Sequence, residues 1–335
     1  MILCVTLNPC LDKSLDVPHW EPGDNVRGLA SGEIVGGKGN NVARALKRLG
    51  REARPVTFFG GPVGDRCERL LREVDGLDPV VISTDAPTRV ILTVRTALAG
   101  DPPATAFFDP DPAITATEAG RLVREVEILF RSGDVEALCL SGSSPSPATH
   151  DVFSELIAIA KGRRVPSFLD TYGPPLSSLW GVWPDSINLN RREAGVHLRA
   201  ESPSDEALWA LLEGWSKHGV RSALVTNGAD PVLALIEGRR YLANPPLIKP
   251  VNPIGSGDCL LAGLIAARLD RSTPADCLRT AVGSGVANAL VWGAGEINHA
   301  SVIQLASQVV IHSGLRGSER TIPSFVESRL RVEDN

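Results

Sequence analysis

Seven short apolar runs rich in β-branched residues alternate along this chain with stretches of helical periodicity, and this alternation restricts the fold more than any other feature. The runs are Ile2–Leu7, Val56–Phe59, Ala137–Leu140, Pro166–Leu169, Ser186–Leu189, Ala223–Thr226 and Val232–Ile236. Amphipathic helices are expected over Asn41–Leu49, Arg66–Glu73, Thr117–Arg131, Thr149–Ala160, Ser204–Lys217, Asp258–Leu269 and Thr273–Val291. A strand that is apolar on both sides needs cover on both faces, and a helix between strands returns the chain in the same direction. The expected architecture is therefore a mostly parallel sheet with helices above and below it. Ligands of such sheets gather at the carboxyl ends of the strands, where the loops carry function.

Two regions break the rhythm. Residues 11–35 contain Pro18, Pro22 and Gly23, and residues 88–112 read as two extended segments, Arg89–Thr96 and Thr105–Phe108, around an Ala-Gly-Asp-Pro-Pro turn. They are expected to form a small second sheet inserted twice into the main fold, either as a lid or as plain surface hairpins. The main domain then comprises 1–10, 36–87 and 113–312, and 313–335 forms a polar tail. A chain of 335 residues with 43% hydrophobic content has room for one such domain and a small accessory one. Its net charge of −5 argues against nucleic acid as a partner. The six cysteines show no zinc spacing and read as reduced thiols. Met1–Leu7 lacks a basic leader and reads as a first strand. No apolar run reaches the length of a membrane span, so a soluble, cytoplasmic protein is expected.

Two glycine-rich turns carry the chemistry. Asn252-Pro-Ile-Gly-Ser-Gly-Asp258 feeds directly into the apolar run Cys259–Ala266. Unpaired amides and the helix dipole make such a helix start receptive to a phosphate or a developing anion. An acid there would repel a resting anion, but Asp258 suits removal of a proton from a hydroxyl attacking phosphorus. The same residues also suit a plain helix start. The second turn, Val35-Gly-Gly-Lys-Gly-Asn-Asn-Val-Ala-Arg-Ala-Leu46, lacks the Walker spacing, and Gly283–Gly285 lacks the third glycine of a dinucleotide fingerprint.

The pairing of Gly-Gly-Lys-Gly-x-Asn-Val-Ala with Asn-x-x-Gly-Ser-Gly-Asp closely resembles the PfkB, ribokinase-like, carbohydrate kinase family. The resemblance runs from Thr6 to about Gly295. Its sugar-phosphate branch (1-phosphofructokinases, tagatose-6-phosphate kinases and the minor 6-phosphofructokinases) is similar also at Thr6-Leu-Asn-Pro9-x-x-Asp12, Gly23-x-x-x-Arg27, Thr88-Arg89, Ser141-Gly-Ser143 and Asp170-Thr-Tyr-Gly173. The resemblance implies a three-layer α/β/α fold with a mostly parallel central sheet and a β-sheet lid that clasps a second copy in a homodimer. It implies ATP and Mg²⁺ as cofactors and a small-molecule sugar phosphate as substrate. Fructose 1-phosphate is the first choice, with tagatose 6-phosphate, fructose 6-phosphate, or an unphosphorylated sugar or nucleoside as alternatives. A non-catalytic sugar-phosphate-binding homologue is the reading from a different class.

By the same resemblance Asp258 is the catalytic base, and the backbone of Gly255, Ser256 and Gly257 forms the anion hole. Asp12, Gly37 and Asn41 would hold sugar hydroxyls. Arg27, Arg89, Lys38 and Ser143 would meet the phosphate already on the substrate, a task suited to the planar donors of arginine. Asn190 and Glu193 match an Asn-x-x-Glu associated with Mg²⁺, often through water, although the pair also fits a capping box. Asn188, Asn190, Thr226, Asn227, Gly228 and Asn288 would face the nucleotide. The chain departs from the pattern at several places. Asn188 replaces a lysine, Ile91 an asparagine and Asn40 an apolar residue. Ser256 stands for alanine, and Asp109-Pro-Asp-Pro-Ala113 for a Pro-Gly-rich segment.

Overall fold

The computed structural model describes residues 1–96, 104–179 and 181–314. The Ala99–Pro103 turn and nearly all of the expected tail lie outside them. The large sheet has ten strands. Those numbered early in the chain are β1 (Ile2–Thr6), β4 (Ala53–Phe59), β5 (Val80–Ser83), β8 (Ala137–Ser141), β9 (Ser167–Asp170) and β10 (Ser186–Asn190). They continue with β11 (Ser222–Thr226), β12 (Val232–Ile236), β13 (Arg239–Asn244) and β14 (Val310–Ser313). The order across the sheet is β14-β13-β12-β11-β10-β9-β8-β1-β4-β5. Every pair from β5 to β11 is parallel, whereas β11 to β14 pair antiparallel.

The helices are α1 (Lys38–Arg48), α2 (Gly61–Arg69), α3 (Ala116–Arg131), α4 (Val152–Gly162), the short α5 (Pro174–Ser177), α6 (Arg191–Leu198), α7 (Asp205–Lys217), α8 (Ser256–Leu269), α9 (Pro274–Ala289) and α10 (His299–Ser307). They cover both faces. The two-residue period of β1 sends Ile2 and Cys4 into one apolar layer, with Leu46 of α1, Leu261 of α8 and Leu278 of α9. Leu3 and Val5 enter the other, with Leu122 of α3, Phe153 of α4 and Leu212 of α7. The expected three-layer α/β/α arrangement is thus present.

All seven expected strands are found within a few residues. Three more were not read from the sequence. β5 and β14 are only four residues long, and β13 mixes arginines with apolar residues, as an outer antiparallel strand can. α1 starts at Lys38, three residues before its expected beginning, which puts Lys38 and Asn41 in its first turn. α4 starts at Val152, after a separate 3₁₀ turn at Pro147–Thr149, and α6 and α10 are additional helices.

The remaining strands, β2 (Cys10–Val17), β3 (Ala30–Gly36), β6 (Arg89–Thr96) and β7 (Thr105–Phe108), form a separate sheet in the order β3-β2-β6-β7. It is attached where Cys10 pairs with both Gly36 and Arg89. Further along, Arg95 pairs with Asp16 and lies 3.8 Å over the ring of Trp292, which follows α9 in the main body. No helix of the described residues is long and apolar enough to cross a membrane. All six cysteines are buried and free.

Gly39 seats α1 on β1, because a Cβ there would meet the carbonyl oxygen of Val5 at 2.6 Å and Thr6 Oγ1 at 2.4 Å. Backbone atoms cannot swing aside, so Gly39→Ala should destabilise the fold by about 1–3 kcal/mol. Urea unfolding measures this, and an unchanged midpoint would contradict the close seating.

Candidate active site

The parallel strands end on one side of the sheet, and Ser143, Asn190 and Thr226 stand on or just beyond those ends. α8 approaches from the glycine turn. Gly255 is in the left-handed region at φ 85°, and a Cβ there would meet Ala294 Cβ at 2.6 Å. As the N-cap of α8, Gly255 has no side chain to offer the first turn. The Ser256 amide donates to the Pro253 carbonyl, which leaves the Gly257 and Asp258 amides as open donors of a helix start. The space over Gly257 is open, since a Cβ there would meet nothing within 4 Å.

An acid in the third helical position ordinarily turns back to cap its own helix. Glu118 of α3 and Glu193 of α6 do so in complete capping boxes. Asp258 holds the same position in α8 but points elsewhere: its Oδ2 accepts a hydrogen bond from Asn41 Nδ2 at 2.8 Å. This separates the turn from a plain helix start. Side-chain amides brace the turn. Asn252 Oδ1 accepts from the Ile254 amide at 3.1 Å, and its Nδ2 donates to the Trp292 carbonyl at 2.8 Å. Asn288 is fully buried behind the turn. Its Nδ2 donates to the Ile254 carbonyl at 2.8 Å, and its Oδ1 accepts from the Gly295 amide at 2.9 Å. The Asn288 side chain is therefore committed to the backbone of the turn.

Asn41 is oriented from behind. Arg44, 2% exposed, donates through Nη1 to Asn41 Oδ1 at 3.0 Å and to the Ala294 carbonyl at 2.8 Å. Its other edge grips both oxygens of Asp75, at 2.8 and 2.7 Å. With Oδ1 taken by a guanidinium, the asparagine can present only its NH₂ to Asp258. Lys38 Nζ donates to Asp170 Oδ1 at 2.7 Å and to Glu193 Oε1 at 2.8 Å. Burial works to lower the lysine pKa, but the carboxylates of Asp170, Glu193 and Asp258 outweigh it and hold the ammonium charged, well above the ordinary value. Asp258 itself is 5% exposed. Burial pushes its carboxyl up to about 7; Asp170 and Glu193 add to the rise, while Lys38 and the Asn41 hydrogen bond oppose it.

A second cluster lies at the root of the small sheet. Arg89 Nη1 donates to Asp111 Oδ1 at 3.0 Å, and Nη2 to the Asn8 carbonyl at 3.3 Å. Asn8 Nδ2 donates to the same Asp111 oxygen at 2.9 Å and to Ser143 Oγ at 3.1 Å. Arg89 Nε and Asn8 Oδ1 are buried without partners. Asp12 is raised above the usual carboxylate range by burial, opposed by the Cys10 thiol and by Arg89 and Arg44. Gly37 sits nearby at φ 103°.

Lys38, Asn41, Asp170, Asn188, Glu193 and Asp258 thus form one hydrogen-bonded and charged group, and Arg89 and Ser143 meet in another. Lys38 is turned toward the acids and is not hydrogen-bonded to the Arg89 cluster. Arg27 is exposed on the β2–β3 connection and joins neither group. Thr226 ends β11. Beyond it, Asn227 donates to Asp230, and Gly228 takes φ 56° in a turn of its own. Asn40 ties its Nδ2 to the Gly36 carbonyl. Asn188 donates to Asp170 Oδ2 at 3.1 Å and leaves its Oδ1 buried and unpartnered.

Sequence reasoning did not assign roles to Asn8, Asp111, Asp170, Arg44 or Asp75. Asn8 and Asp170 lay within quoted motifs, and Arg44 within the glycine-turn helix. Asp111 lay in a segment already seen to depart from the pattern. Nothing local marked Asp75, whose partner is 31 residues away.

The open amides over Gly257 fit a polyphosphate. For a divalent cation the donor set is different: Glu193 Oε2 accepts from the Asn190 amide and its Oε1 from Lys38, while Asn190 Oδ1 accepts from the Glu193 amide. Among the described residues no group of three His, Cys, Asp or Glu is placed to hold a metal. This suits a metal carried by a nucleotide within its own water shell, and does not suit a cage of protein ligands.

The mostly parallel α/β sheet with a small accessory sheet is shared with solved phosphofructokinase and ribokinase structures. Phosphofructokinase-2 from Escherichia coli in complex with fructose-6-phosphate matches with a TM-score of 0.80 at 22% identity, over 92% of this chain and 98% of that one. The tetrameric inhibited form of that enzyme matches with a TM-score of 0.81, at the same identity and coverage. A Thermotoga maritima protein provisionally assigned as a 1-phosphofructokinase gives 0.83 at 19% identity, over 94% and 99%. Arabidopsis thaliana ribokinase complexed with ribose and ATP gives 0.71 at 19%, over 91% and 98%. At these identities the likeness is one of fold. The description "pfkB family carbohydrate kinase" matches residues 5–300, and the chain belongs to that family.

The raised Asp258 carboxyl has a consequence for stability. An unfolded aspartate titrates near 3.9, so the folded chain binds the extra proton between about pH 4 and 7 and loses stability as the pH rises across that window. Asp258→Asn carries no such charge. Its stability relative to the parent should climb from pH 4 to 8, by on the order of a few kcal/mol. Thermal melts across pH test this, and a difference that stays constant with pH would rule out the buried, raised carboxyl.

Proposed function

We propose that this carbohydrate kinase transfers the terminal phosphoryl group of ATP to a hydroxyl of a ketohexose monophosphate, with fructose 1-phosphate as first choice of acceptor and fructose 1,6-bisphosphate as product. The observation that carries the transfer is Asp258, an acid that forgoes capping its own helix and faces Asn41 beside open amides. Its carboxylate takes the proton of the attacking hydroxyl, and a pKa near neutrality suits a general base. The open amides of Gly257 and Asp258 receive the charge of the group in flight; the Ser256 amide, expected to join them, is instead committed to Pro253, and Gly255 shapes the turn. Lys38 keeps the local acids from crowding Asp258 with uncompensated charge. When bound, ATP supplies the phosphoryl group and Mg²⁺ offsets its charge. Asn190 and Glu193 would meet the metal through water, and Asn188 with Thr226, Asn227 and Gly228 would face the nucleotide. Asn288 serves this site by fixing the turn.

On the acceptor side, Asp12, Asn41 and the backbone at Gly37 hold sugar hydroxyls. Ile91 lies across from Asp12 in the small sheet, where the related pattern has an amide. The convergence of Arg89, Asn8 and Ser143 supports a phosphorylated acceptor, and the small sheet acts as the lid over it. A second reading, an unphosphorylated sugar, is favoured by Asp111, which already balances Arg89. The lid also serves as a dimer contact: Leu29, Phe107 and Phe108 are 67%, 49% and 64% exposed on it.

ADP release tests these assignments with Mg-ATP and fructose 1-phosphate, fructose 6-phosphate, tagatose 6-phosphate, fructose or ribose. Asp258→Asn should lower kcat about 10²–10⁴-fold, and a variant that keeps more than a few percent would remove the base role. Arg89→Ala should raise KM for a phosphorylated acceptor steeply while sparing a plain sugar. Static light scattering should give the mass of a dimer, and a monomer at working concentration would contradict the lid contact.

A further inference from the structure

Asp111 stands where the proposed acceptor site gathers positive and donor groups. A single oxygen, Oδ1, receives both Arg89 Nη1 at 3.0 Å and Asn8 Nδ2 at 2.9 Å, and Asn8 Nδ2 also reaches Ser143 Oγ. Arg89 is 14% exposed, whereas Asp111 is 47% exposed on the loop between β7 and α3. The arginine is therefore fixed in the floor, and the carboxylate comes to it from the solvent side. Val90 adds to this fixing of the segment: its amide donates to Asp109 Oδ2 at 2.8 Å, and its carbonyl accepts from the Asp109 amide at 3.0 Å.

The donors left over are informative. Arg89 Nε is buried without a partner, and so is the acceptor Asn8 Oδ1. Buried polar atoms are rarely left unsatisfied. Arg89 Nη1 is taken by a carboxylate, while on its other edge Nε is open beside an Nη2 held only at 3.3 Å. That leaves donor capacity which the several oxygens of an oxyanion can use and one carboxylate oxygen does not.

We propose that Asp111 is a specificity-determining residue, a built-in anion that occupies the acceptor-phosphate position and must be displaced before a sugar phosphate can bind. The inference rests on the reading of Arg89 as the phosphate cation. Its effect is to weaken phosphorylated acceptors selectively and so to narrow the gap between them and neutral sugars. Because the competing charge is half exposed, the handicap is modest, about tenfold in acceptor affinity. A neutral sugar brings no anion to this position and is unaffected.

Steady-state kinetics on the full chain test this, with fructose 1-phosphate, fructose 6-phosphate, tagatose 6-phosphate and fructose as acceptors. Asp111→Asn and Asp111→Ser are compared with Arg89→Ala and the parent, and thermal melts verify that each variant is folded. Both Asp111 variants should lower KM for the preferred sugar phosphate about tenfold, with kcat and the fructose KM nearly unchanged. They should also make that KM rise more steeply with salt, because Arg89 then lacks its internal counter-charge. If both Asp111 variants leave the sugar-phosphate KM unchanged or raise it while Arg89→Ala still raises it, the inference fails and the reading of Arg89 stands. If Arg89→Ala affects no sugar phosphate, both fall. Absence of sugar-phosphate turnover in folded Asp111 variants also overturns the inference.

Discussion

The hydrogen bond from Asn41 to Asp258 is the contact on which the rest of the site depends. It joins the first turns of α1 and α8, two glycine-led helix starts 217 residues apart in sequence. Each start is unusual alone, since neither Gly37 nor Gly255 supplies a capping side chain. Together they convert two exposed helix ends into one buried polar centre. The direction of the bond is not left to chance. Arg44 occupies the asparagine oxygen and is itself gripped by Asp75, so the amide has one orientation available. A buried arginine with its donors satisfied is costly to disturb, which makes it a firm support.

Charge balance shapes the remainder. Asp170, Glu193 and Asp258 crowd one end of the sheet, and Lys38 is the cation that makes this tolerable. Lys38 takes two of the acids directly and leaves Asp258 the less fully neutralised of the three, with its carboxyl poised near neutrality. Asn188 contributes a neutral hydrogen bond to Asp170 where the related pattern carries a lysine. The chain has therefore one fixed positive charge fewer at that strand end, and its compensation rests more heavily on Lys38.

Much of this was legible in the sequence, for definite reasons. Parallel strands such as β8 and β11 are buried on both faces, and an unbroken apolar run is a strong signal. Ser204 and Thr273, where two of the expected helices begin, cap those helices with their side chains. The glycine turns could be read because their backbone demands exclude other residues. Partnerships across the fold were not legible. Nothing near Asp75 or Asp111 in the sequence announces an arginine in another segment, because proximity of that kind is created by the sheet order. Asn288 shows the converse difficulty. Its place in the helix behind the turn was inferable, but that its side chain braces the turn depends on which way the helix faces.

The stacking of Arg95 on Trp292 acquires significance from what lies on either side of it. Arg95 is near the far end of β6, while the carbonyl of Trp292 is held by Asn252 of the glycine-rich turn before α8. The small sheet is thus anchored at its root near Cys10 and, through Arg95, rests on the loop that follows α9. A cation–π contact of this type is worth about 0.5–2 kcal/mol, only one to three times the thermal energy. By itself the contact therefore biases the position of the small sheet against the main body by a few-fold to some thirty-fold, and the firmer hold on that sheet is the backbone pairing at Cys10.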